Sequence, residues 1–84
     1  MTPTNEVIAQ RLRKHANDLA RSGSNLYRVR AFRSAAIAVM GLHSDVTQMV
    51  ASGGVPALES VPGIGKSLAL TIAEYVTAMP FTAA

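Results

Sequence analysis

Ala57-Leu58-Glu59-Ser60-Val61-Pro62-Gly63-Ile64-Gly65-Lys66-Ser67-Leu68-Ala69 is the stretch that decides how this chain folds. It reads as a short helix, a Gly-apolar-Gly turn and the opening of a second helix. Gly63 and Gly65 permit backbone angles that other residues avoid, and they leave no side chain between the main chain and an approaching group. Ile64 between them is expected to plug the turn into the core. Ala69 is small where the two helices cross. The unpaired N–H groups at the start of the second helix face outward, and Lys66 adds a charge beside them, so the turn suits an anion.

Downstream, Leu68, Ala69, Ile72, Tyr75, Val76 and Met79 share one helical face, and Pro80 stops the helix. Phe81 to Ala84 form a frayed tail unless Phe81 docks. Upstream, Ser44 to Ala51 fits a short helix capped by Ser44 or Asp45, with Val46, Met49 and Val50 inward and Gly53-Gly54 ending it. From about Asn25 to Met40, steps of 100° put Ala31, Phe32, Ala35, Val39 and Leu42 on one arc, with Arg30, Arg33 and Ile37 opposite. Arg28 falls on the apolar arc. It therefore either precedes the regular helix or points into a pocket holding an anion or an acid, because a buried unpaired guanidinium is very costly. The first helix spans Asn5 to about Arg21, with Ile8, Leu12, Ala16 and Leu19 on its stripe and Thr4 or Asn5 as its cap. Gly23 is the expected left-handed residue behind it. The chain thus reads as a single all-α domain, a compact four-helix unit over residues 1–84 with an ordered core of about 5–79.

Composition narrows the partners. The 84 residues contain no cysteine, which excludes a disulfide framework and thiolate chemistry. Apolar residues are 49% and charged residues only 15%, a balance that argues against disorder. The longest apolar stretch, Ala35 to Leu42, is well short of the ~20 residues that span a bilayer. No basic patch followed by an apolar run opens the sequence, so a soluble, cytoplasmic protein is expected, nucleoid-associated if bacterial. The net charge of +3 is unevenly spread. Residues 1–42 hold Arg11, Arg13, Lys14, Arg21, Arg28, Arg30 and Arg33 against Glu6 and Asp18, a net +5. Residues 43–84 hold Lys66 against Asp45, Glu59 and Glu74, a net −2. A basic half-domain suggests a polyanion, although charge alone equally allows a solvated helix face.

Gly63-Ile64-Gly65-Lys66-Ser67 invites comparison with a nucleotide-binding P-loop. That motif needs glycine where this chain has Ser60, and it needs a preceding strand and a parallel sheet. Neither fits an all-helical chain of this length. The better reading is a helix-hairpin-helix motif gripping a DNA backbone, against the plain alternative of a Gly-rich turn between two core helices. His15 and His43 are far apart with no cysteine and no clustered acids, which makes a side-chain metal site improbable. His15 lies at the edge of its stripe and reads as structural. Tyr27 is open to stacking on a base, whereas Tyr75 reads as packing.

Two motifs in order, Asn25-Leu26-Tyr27-Arg28-Val29-Arg30-Ala31-Phe32-Arg33-Ser34-Ala35-Ala36 and then Val61 to Ala69, resemble the N-terminal helix-hairpin-helix domain of family X DNA polymerases, the DNA polymerase beta-like enzymes. The bacterial members are the most similar, and the resemblance covers roughly residues 5–77. It implies a four-helix domain that binds DNA at gaps and ends and holds the 5′-phosphate side of the break. Arg28, Arg30, Arg33, Gly63, Ile64, Gly65, Lys66 and Ser67 are then the DNA-binding residues. Arg28 matches a lysine of the 5′-phosphate pocket and Phe32 a tyrosine. The resemblance requires no cofactor but implies a place for Na+ or K+ on the main-chain carbonyls of Glu59, Val61 and Ile64. It also bears on catalysis: Thr71 stands where lyase members have the Schiff-base lysine, and Ser67 where they have a second pocket lysine. A hydroxyl cannot form the imine, and an exposed Lys66 stays protonated near neutral pH. The expectation is a non-enzymatic, sequence-independent DNA-binding domain for repair or replication, with no membrane and no nucleotide partner. A protein-interaction module recruiting a repair or replication partner is the alternative.

Overall fold

The computed structural model describes residues 3–78. Four helices follow one another: α1 (Pro3–Arg21), α2 (Leu26–Met40), α3 (Val46–Glu59) and α4 (Lys66–Ala78), with no strand among the described residues. The expectations resting on Met79, Pro80 and Phe81 lie outside the described residues.

α1 and α2 form an antiparallel pair, as shown by Arg13 lying against Met40 and Arg33 reaching Asn17. α1 ends where expected. Gly23 takes a positive φ of 76°, and Ser24 N and Gly23 N donate to the carbonyls of Leu19 and Ala20, closing the last turn. Asn25 then caps α2 by accepting from the Tyr27 amide at 2.7 Å. The expected arc of α2 is buried at Phe32, Ala35 and Val39, joined by Val29 and Ala36, while Ile37 is exposed opposite them. Ile8, Leu12 and Ala16 of α1 meet that arc, and Leu58, Ile64, Leu68 and Ile72 close the core from the other side.

The start of α1 differs from the expectation. The helix begins at Pro3, so Asn5 is inside it and cannot be its cap; instead Asn5 is fully buried and caps a different helix. Its Oδ1 accepts from the Val46 amide at 2.9 Å and its Nδ2 donates to the Ser44 carbonyl at 2.8 Å. Asp45, one of the two expected caps, accepts from the Thr47 amide at 2.8 Å. The N-terminus of α3 is therefore satisfied by its own cap residue Asp45 and by Asn5 of α1 at once.

The first limb of α3 ends at Gly53-Gly54 as expected. Only Gly54 leaves helical geometry, with φ 65° and ψ −158°, and the chain bends there and resumes. Pro56 follows the bend, where the missing amide removes no bond because the ladder is already interrupted. The short limb before the Gly-apolar-Gly turn is thus a second helical piece, set off from the first limb of α3 by the kink.

Candidate nucleic-acid interface

The turn between α3 and α4 is built by main-chain bonds. Ser60 N donates to Pro56 O at 3.2 Å, Val61 N to Leu58 O at 3.0 Å, and Ile64 N to Val61 O at 3.1 Å. Ile64 is buried as the sequence implies. Gly63 has φ 95°, and a Cβ there would lie 3.3 Å from the Ala38 Cβ and 3.6 Å from the Ser34 carbonyl. Ser34 and Ala38 are one turn apart on α2, so the turn is seated on that helix at two small residues. Neither residue lies on the apolar arc that the sequence marks out, so the apolar pattern gives no sign of this seat.

Gly65 differs from the expectation. Its φ is not positive, and nothing lies within 4 Å of a Cβ built on it. Its role is positional: its carbonyl accepts from Ala69 N at 2.8 Å, which makes it the cap residue of α4, and it has no side chain to satisfy the amides that follow. α2 and α3 begin with Asn25 and Asp45 bonding inward, whereas no described side chain accepts from the amides of Lys66, Ser67 or Leu68. An uncapped first turn on an open surface is where a phosphate oxygen fits.

The two glycines therefore part company on substitution. Gly63→Ala forces a left-handed strain and a tight contact, at about 2 kcal/mol, or roughly 8–16 °C of melting temperature for a domain this size. Gly65→Ala loses only an N-cap preference, under about 1 kcal/mol. Thermal melts followed by circular dichroism check the order.

The basic residues do not all gather at the turn. Arg28 lies within α2, so it does not precede the helix, and it is exposed, so no charge is buried and neither expected placement holds as stated. Its guanidinium sits 5.6 Å from the Phe32 ring centroid, and a depression of about 210 Å³ is bordered by Tyr27, Arg28, Phe32 and Ser67. α2 and the first turn of α4 thus bring Arg28 and Ser67 together. Arg30 lies beside Leu26 and Tyr27, and Tyr27 is 82% exposed. Arg33 points elsewhere: its guanidinium donates to Asn17 Oδ1 at 3.4 Å, near Arg13 on the α1 side. Lys66 is exposed at the helix start. Among the described residues none of these four cations has a carboxylate within 4.0 Å; the Arg21–Asp18 pair at 3.2 Å is on α1. Thr71 is half-buried and donates from Oγ1 to the Ser67 carbonyl at 3.1 Å. No helix of the described residues is long and apolar enough to cross a membrane.

His15 and Tyr75 are more than packing. The His15 ring lies 4.4 Å from the Phe32 centroid, and its Nδ1 is 3.1 Å from the Tyr75 hydroxyl. Arg11 lies 5.2 Å from the Tyr75 centroid. Burial pushes the Tyr75 phenol above its usual range, with Arg11 pulling it down and Glu74 adding to the rise.

A family model described as the helix-hairpin-helix domain matches residues 3–79, and the chain belongs to that family. Helix-hairpin-helix domains generally bind DNA without sequence preference. No curated protein and no solved structure gave a significant match.

Proposed function

We propose that this domain holds DNA through its phosphate backbone at gaps or 5′-phosphate ends, without sequence preference and without catalysis, in repair or replication. One observation carries the reading: Arg28 stands beside Ser67 in a depression next to the uncapped start of α4, where Lys66 is also exposed. A terminal phosphate in that depression would meet a guanidinium fork, a hydroxyl and main-chain amides together. The resemblance to family X polymerases supports the preference for ends. Thr71 supports the absence of lyase chemistry, since its hydroxyl is committed to the Ser67 carbonyl and cannot form an imine.

A monovalent cation is part of the same proposal. Hard cations take neutral backbone carbonyls as ligands, and the turn offers those of Glu59, Val61 and Ile64. Val61 O already accepts one bond, from Ile64 N, which leaves its second lone pair for an ion. Bound there, the ion would supply positive charge next to a phosphate.

Fluorescence anisotropy tests the reading with a gapped, 5′-phosphorylated duplex beside intact duplex and single strand, from ~50 to ~200 mM salt. The expected result is binding that weakens steeply with salt and is tightest for the phosphorylated gap, with no adduct trapped by borohydride on a 5′-deoxyribose-phosphate end. Equal binding to all duplexes removes the end preference, and no binding at ~50 mM salt sinks the DNA reading. The second reading, a protein-interaction module, rests on the exposed apolar side chains Leu26, Tyr27 and Ile37 of α2. It predicts a contact that is insensitive to salt.

A further inference from the structure

Two exposed features remain outside the turn and the Arg28 depression, and they lie on different helices. The first is on α2. Ile37 is 70% exposed, one turn beyond Arg33, and the two border a depression of about 360 Å³ with Arg13 and Asn17 of α1. The second is on α4. Leu70 is 49% exposed, one turn before Glu74, and the two border a depression of about 330 Å³ with Ala73, Thr77 and Ala78. A space of about 150 Å³ takes a benzene-sized group, so the α4 depression has room for an isoleucine side chain.

The charges on the two features are opposite. Arg13 and Arg33 have no carboxylate within 4.0 Å among the described residues, and Glu74 has no cation within that distance among them. Arg33 donates one N–H to Asn17 Oδ1 at 3.4 Å, and a guanidinium has five. The same contrast runs through the chain at large. Residues 1–42, with α1 and α2, are net +5, and residues 43–84, with α3 and α4, are net −2.

The spacings match as well. Arg33 to Ile37 and Leu70 to Glu74 are each four residues, about 6 Å along a helix. Laid antiparallel, α2 of one copy and α4 of another put Ile37 against Leu70 and Arg33 against Glu74. In that register Arg30 falls opposite Thr77 and Lys66 opposite Gly41, so no like charges meet. We propose that the chain associates with itself through this contact, Ile37 of one copy entering the depression beside Leu70 of the next. Burial of the isoleucine supplies the attraction, and the Arg33–Glu74 pair fixes the orientation. A second copy suits these surfaces better than a nucleic acid, whose phosphates offer nothing to Ile37 and are repelled by Glu74. The two surfaces sit on separate helices, so the contact is head-to-tail, and it stands independently of the DNA reading.

Sedimentation velocity without DNA tests the contact. One helix against one helix falls among the encounters that bury less than ~1,200 Å², so the chain is followed from ~10 µM to ~1 mM in ~0.1 M salt. The weight-average mass of the wild type is expected to rise across that range. Ile37→Ser should weaken association about tenfold or more, through the loss of one buried isoleucine. R33E and E74R should each weaken it by about as much, because each sets like charges face to face. Ile37, Arg33 and Glu74 are all exposed, and circular dichroism serves as the folding control. The deciding sample is an equimolar mixture of R33E and E74R. There the exchanged charges meet across unlike copies, and association should return although neither variant associates well alone. A wild type that stays monomeric at ~1 mM overturns the contact and leaves the basic groove to an acidic partner of another kind. Association that persists in I37S, or that fails to return in the mixture, overturns it too. DNA is in none of these samples, so failure here leaves the DNA reading where it stands.

Discussion

Asn5→Ala is expected to lower the melting temperature by about 10–30 °C, an outsized effect for a polar residue near the start of the chain. The reason is what the amide holds. Asn5 is 0% exposed, and its two atoms satisfy the Ser44 carbonyl and the Val46 amide on a segment about forty positions away. Truncation leaves the buried Val46 amide and the part-buried Ser44 carbonyl without these partners. Each such group costs about 1–3 kcal/mol, so a loss of about 2–4 kcal/mol follows. A domain of this length has roughly 4–13 kcal/mol of stability in total, so the substitution removes a large share of it. Asn17→Ala is the control. Asn17 is an exposed asparagine of the same helix with one long bond to Arg33, and surface changes of this kind stay within about 0.5 kcal/mol. Thermal and urea melts of the two variants side by side decide the matter. If Asn5→Ala melts within a few degrees of Asn17→Ala, the bridge from α1 to α3 is not holding the bundle together.

Asn5 also shows where reading the sequence reaches its limit. An asparagine followed by Glu6 at the start of an apolar stripe signals a local cap, because capping bonds span two or three residues and leave a trace in the spacing. A cap donated by one helix to another leaves none. His15 and Tyr75 are the same case: His15 sits at the edge of its stripe and Tyr75 on the apolar face of α4, and only the crossing of α1 and α4 makes them a bonded pair. What was legible followed from local rules. The apolar periods placed all four helices, Gly23 and Asn25 marked the α1–α2 boundary, and the Gly63-Ile64-Gly65 turn identified both the core plug and the open helix start. Of the two properties expected to matter at Gly65, the unusual φ is not used, which leaves the absence of a side chain. Two adjacent glycines look like a helix end, and Gly54 is one: its φ of 65° breaks the helical geometry, and a second short limb resumes behind it. The arginines of α2 were legible as a set but not as a surface, because Arg28 and Arg33 lie about 140° apart around the helix at 100° per residue. That angle sends one toward the turn and the other toward α1.

Because of that divergence, the binding test turns on Arg28 and Lys66, and the double variant R28Q/K66Q should lose about 60-fold in affinity for a 5′-phosphorylated gapped duplex at 0.1 M salt. The magnitude follows from counterion release. Each phosphate contact on duplex DNA contributes about 0.9 to the log–log salt slope, so two lost contacts flatten it by about 1.8. That difference is worth about 1.8 decades at 0.1 M salt and vanishes on extrapolation to 1 M. Substitution to glutamine removes the charges without adding a repulsion that would inflate the loss. Stability should barely move: Lys66 is exposed and unpaired, and Arg28 gives up only its position over Phe32, worth about 0.5–1 kcal/mol. Arg33→Gln supplies the comparison, because Arg33 faces Asn17 rather than the turn and its loss should leave both affinity and slope nearly unchanged. The three arginines of α2 would then separate by direction, although they are alike in sequence. An R33Q effect as large as that of R28Q/K66Q would move the DNA path from the turn onto the outer face of α2. A loss of affinity in R28Q/K66Q with no change in slope would mean that the two side chains act through packing rather than through phosphates.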